Sequence, residues 1–113
     1  MGQPLIRSNP RDPSIFFRFS GMALAHYLAG RFDTAAEWAT KSAHIMPQWY
    51  LAHFVLAASL VKAGRHEDAK SAIQNCRAAL PDASTSYLQR MPLKDTEVMD
   101  QLRAALLQAG LPD

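Results

Sequence analysis

The apolar residues of this chain fall in short runs broken by Lys, Arg or His, and the runs read as helices. The first helix is predicted from about Ser14 to Ala29, closed by Gly30, whose freedom at positive φ suits a helix end. The second is predicted from about Asp33 to Ile45, with Asp33 as N-cap and Pro47 forbidding continuation. A second pair follows: Trp49 to Ala63, then Gly64, and Glu67 to Ala79, then Pro81. Ser84 can cap a short helix that Pro92 stops, and Asp95 can cap a final helix from Thr96 to Ala109. In that last segment Val98, Leu102, Ala105, Leu106 and Ala109 keep helical spacing and form one apolar stripe. Helices of roughly 12–16 residues joined by turns of about two to four are ordinary helical hairpins. The expected fold is all-α, without strands.

A longer period underlies these runs. Pro13, Pro47 and Pro81 stand at intervals of 34 residues, and so do Gly30 and Gly64, Arg31 and Arg65, and Ala35 and Ala69. Asp33 and Glu67 repeat acidic character at the same interval. Beyond Pro81 the period fails, because Val98 stands where a glycine is due and Arg103 where an alanine is due. The predicted organisation is therefore a first repeat over 14–47, a second over 48–81, and a short helix with a C-terminal capping helix over 82–113. Residues 1–13 read as the end of a preceding repeat or as an added leader.

These residues resemble the tetratricopeptide-repeat (TPR) family. Its motif positions are filled first by Phe19, Met22, Ala23, His26, Gly30, Phe32, Ala35, Ala39, Ser42 and Pro47. The second set is His53, Leu56, Ala57, Leu60, Gly64, His66, Ala69, Ile73, Cys76 and Pro81. The departures are His53 and His66, which stand where aromatic residues are usual. The resemblance implies an α-solenoid of two helical hairpins plus capping helices, and a protein-interaction scaffold in place of an enzyme. The broken third repeat and the closing GLPD also resemble the C-termini of bacterial multi-domain regulators, such as class III adenylate/guanylate cyclases and winged-helix regulators. That resemblance implies a catalytic or DNA-binding domain upstream.

Composition narrows the function classes. At 113 residues with 49% apolar content, the chain can bury about 65% of its unfolded surface as one domain. A formal charge of +2 is mild, and Arg7, Arg11, Arg18, Arg31, Arg65 and Arg90 are spread along the chain, so nucleic acid is not an expected partner. Nothing is long and apolar enough to suggest a membrane span or a signal peptide. One cysteine, Cys76, excludes an internal disulfide and points to a reducing, cytoplasmic setting.

Catalytic and cofactor chemistry finds no pattern here. His26, His44, His53 and His66 lack the spacing of metal ligands, and His26 and His53 occupy packing positions. Cys76 sits at a small-residue position and reads as a buried, inert thiol. No nucleophile elbow, P-loop or dinucleotide turn is present, so no enzyme, cofactor, metal or small-molecule substrate is expected.

What remains is a surface. The resemblance places a concave partner groove on Phe17, Ser20, Leu24, Tyr27 and Leu28 of the first repeat and on Leu51, Phe54, Ala58, Val61 and Lys62 of the second. TPR domains that clamp a C-terminal carboxylate use Lys, Asn and Arg at places held here by Ser20, Leu24, Phe54 and Ala58, so a carboxylate clamp is excluded. Phe17, Leu24, Tyr27, Phe54 and Val61 are expected to form one apolar strip, with Phe54→Ala weakening association but hardly touching stability. The strip suits an amphipathic helix of another protein, a second copy of this chain, or upstream repeats of the parent protein. The open N-terminal face, with Ile15, Phe16, Phe17 and Phe19, also favours a partner.

Overall fold

The computed structural model describes residues 14–91 and 95–113, so the readings of residues 1–13 and of Pro92 lie outside the described residues. It contains α1 (Ile15–Leu28), α2 (Phe32–Ile45), α3 (Tyr50–Lys62), α4 (His66–Ala79), a 3-10 helix (Thr85–Arg90) and α5 (Thr96–Ala109). The described residues are all-helical and contain no strand.

The helix ends follow from local chemistry. Gly30, Gly64 and Gly110 have φ of +83°, +80° and +110°, a region that costs other residues steric strain. Each glycine turns the chain so that the next amide reaches back into the helix it closes: Arg31 N–H to His26 O at 2.9 Å, Arg65 to Leu60 at 2.8 Å, and Leu111 to Leu106 at 3.0 Å. This is the Schellman closure, which satisfies carbonyls left over at a helix C-terminus. It also corrects one expectation. The closure leaves a single residue before the next helix, so Arg31 occupies the N-cap position and α2 starts at Phe32. Asp33 therefore lies inside the first turn and makes no cap hydrogen bond; there its charge favours the positive end of the helix dipole. Ser84 and Asp95 do cap: Ser84 accepts from Ser86 N–H, and Asp95 from Glu97 and Val98 N–H. The segment behind Ser84 is a 3-10 helix.

Packing begins with small residues. Ala23, Ala35, Ala39, Ala57, Ala69 and Cys76 are fully buried, allowing the helices of each antiparallel pair to approach closely. Ser42 Oγ donates to the Phe16 carbonyl at 2.7 Å and ties α2 to α1. The second pair is keyed to the first by Trp49, whose indole N–H donates to Ser20 Oγ at 2.8 Å while its ring lies 5.6 Å from that of Phe16. His53 Nε2 lies 2.6 Å from the Pro47 carbonyl, holding the turn that enters α3.

The C-terminal segment folds back on α3 more than on α4. Leu102, Ala105, Leu106, Ala109 and Leu111 are buried, Val98 is half-buried, and Tyr87 of the 3-10 helix sets its ring 6.2 Å from Phe54. The tail is fastened where Thr85 N–H donates to the Pro112 carbonyl at 2.9 Å and Arg103 pairs with Asp113 at 2.6 Å. Among the described residues no helix is long and apolar enough to cross a membrane.

Candidate functional site

The residues expected to line one concave strip separate into two groups. Ser20, Tyr27, Leu51, Phe54 and Ala58 are buried within the chain. Ser20 Oγ is spent on structure, donating to the Phe17 carbonyl at 2.8 Å and accepting from Trp49. Tyr27 packs edge-on against Phe32 at 5.5 Å, and burial raises its phenol pKa. Its hydroxyl finds no hydrogen-bond partner among the described residues, and the residue borders a cavity of about 180 Å³ shared with Lys62 and Val98. Phe54 is wholly inaccessible, 5.5 Å from Tyr50 and beneath Tyr87. The apolar strip is therefore not an open groove. The C-terminal segment covers its second-repeat half, because α3 presents apolar residues that α5 and the 3-10 helix bury.

The second group stays accessible. Phe17 and Leu28 are exposed, Lys62 is exposed, and Leu24 and Val61 are half-buried. Phe17 is 59% exposed although its ring touches Trp49 at 5.8 Å.

A different surface emerges at the outer edge of α1. Ile15, Arg18, Phe19, Met22, Ala25 and Trp38 line an open trough of about 610 Å³. Phe19 and Trp38 form its aromatic wall, ring to ring at 5.2 Å, and Lys41 holds its ammonium 4.5 Å from the Trp38 ring. Met22 stands 41% exposed on the rim. Ile15 and Phe19 belong to the N-terminal face singled out from the sequence, whereas Arg18, Met22 and Trp38 were missed. A signal for them existed: the helix IFFRFSGMALAHYL holds no carboxylate and is apolar nearly all round.

Comparison with protein-family models, curated proteins and solved structures returns no match. The surface must be read on its own chemistry.

Reactive groups offer little competition for it. Burial pushes the Cys76 thiol up to about 11, with Arg77 opposing weakly, so it is protonated and poorly nucleophilic near neutrality. His26 Nδ1 accepts from Arg31 Nε at 2.9 Å. Among the described residues no three His, Cys, Asp or Glu side chains come together as a metal site would require.

Proposed function

We propose that this chain is a protein-docking module of TPR-like helical hairpins, and that it docks through the outer edge of α1. One comparison carries the reading. α1 and α3 are both apolar on nearly every side, and a helix of that kind is one that other elements surround. α3 is surrounded: ten of its residues are buried. α1 buries only Ile15, Ser20, Ala23 and Tyr27, and three of the five large apolar side chains exposed among the described residues, Phe17, Met22 and Leu28, belong to it. Apolar surface gathered on one helix marks a contact site. The TPR-like arrangement is supported by the identical lengths of α2 and α4, each entered through a positive-φ glycine 34 residues from its counterpart. A reducing compartment suits the lone buried Cys76.

The test is a surface variant, Phe17→Ser with Met22→Asp. Both positions are exposed, so thermal melting should change little. Proteins retained by the immobilised wild type should be lost from the variant. If the variant retains the same proteins at the same salt concentration, the α1 edge is not the docking surface.

A further inference from the structure

We infer that the α1 edge receives an amphipathic helix with an acidic flank, supplied by another polypeptide. This rests on the docking reading above and adds the chemistry of the partner. The chain's own repeat is the first observation. Moving 34 residues along takes Arg18, Met22 and Ala25 of α1 to Ala52, Leu56 and Ser59 of α3. There the face is covered: Ala52 and Ser59 are fully buried and Leu56 is half-buried. The second helix of the preceding hairpin, α2, packs against α3, and its Ala36, Glu37 and Thr40 share a cleft with Leu56. What seats on this kind of edge is a helix offering small residues with a carboxylate beside them.

Charge is the second observation. Arg18 lines the trough, Lys41 overhangs Trp38, and no carboxylate lines the trough among the described residues. α1 itself contains no Asp or Glu. A helix with Glu beside its apolar stripe would meet both cations. Two copies set edge to edge would instead bring Arg18 and Lys41 against the same pair, and juxtaposed like charges select against a partner. The apolar trough supplies affinity and the two cations supply selectivity.

The probes are two fluorescein-labelled, lactam-stapled 16-residue helices with the same Leu/Ala stripe, one flanked by Glu and the other by Lys. Binding to the full chain is read by fluorescence anisotropy. The Glu-flanked helix should bind at least about tenfold more tightly at low salt, and the gap should narrow as salt screens the exposed charges. Arg18→Glu with Lys41→Glu should invert the order, and Met22→Asp should weaken both probes while the melting temperature stays put. Equal binding of the two probes, no binding of the Glu-flanked helix, or an order unchanged by the charge reversal overturns the inference. Sedimentation separates this failure from that of the docking reading. A wild-type dimer that Met22→Asp dissociates would assign the edge to a second copy, overturning the acidic helix but keeping the docking surface. If Met22→Asp affects neither probe binding nor association, both fall.

Discussion

Phe54→Ala is the substitution for which sequence and structure disagree most sharply. On the sequence alone Phe54 belongs to a groove, and truncating it should spare the fold. In the structure its side chain is fully inaccessible, with the Tyr50 ring 5.5 Å away, the Tyr87 ring 6.2 Å away, and α5 packed along the same helix. Removing a fully buried Phe costs about 3–5 kcal/mol, from lost transfer free energy plus the cavity left behind. The loss of two aromatic neighbours, each pair worth about 0.5–1.5 kcal/mol beyond burial, places this site in the upper part of that range. A domain of this size holds only about 5–15 kcal/mol in total. At roughly 4 °C per kcal/mol, melting should fall by about 12–20 °C. Urea unfolding followed by circular dichroism at 222 nm gives the energy directly, and an unchanged m-value would show that two-state behaviour survives. Phe54→Leu, which retains most of the volume, should lose much less. If Phe54→Ala loses under about 1 kcal/mol, the side chain is not core, and the C-terminal segment does not cover α3 as described.

Three further outcomes are expected. Ala69→Trp forces a large ring into a fully buried position on α4 and should cost at least about 1–3 kcal/mol; wild-type melting would mean that α3 and α4 do not meet there. Deleting residues 95–113 removes buried Leu102, Leu106 and Leu111, so the truncated chain should lose cooperative melting and aggregate by light scattering; a soluble chain of unchanged stability would refute the packing of α5 on α3. The Cys76 thiol is held at about 11 against an ordinary value near 9, so between those values the unfolded chain binds fewer protons and stability must fall as pH rises. Cys76→Ala should flatten that alkaline slope in urea titrations, whereas burial of Tyr27 adds a slope of the same sign from about pH 10 that the variant keeps.

Local features were legible in the sequence because local chemistry decides them. Gly30, Gly64 and Gly110 close helices because only glycine takes positive φ without strain, and Asp95 caps α5 through amides two and three residues away. Ala35 and Ala69 are buried as their spacing implied, since small residues at a fixed interval on amphipathic helices have one sheltered face to occupy. Even the misplaced Asp33 cap was an error of two residues, produced by a closure that reaches one residue past its glycine.

The faces of α1 and α3 were not legible, and the reason is physical. An amphipathic helix states in its own sequence which side turns inward, whereas α1 and α3 are apolar nearly all round and state no preference. Which neighbour meets which side is then settled by partners far along the chain. Trp49 claims Ser20, Tyr87 and α5 claim α3 with Phe54, and no described element covers the trough lined by Met22 and Trp38. The sequence determined five α-helices, their ends and their period. Only the tertiary structure decided that the groove is filled from within and that the open apolar surface lies at the edge of α1, because burial depends on which elements meet and not on composition alone.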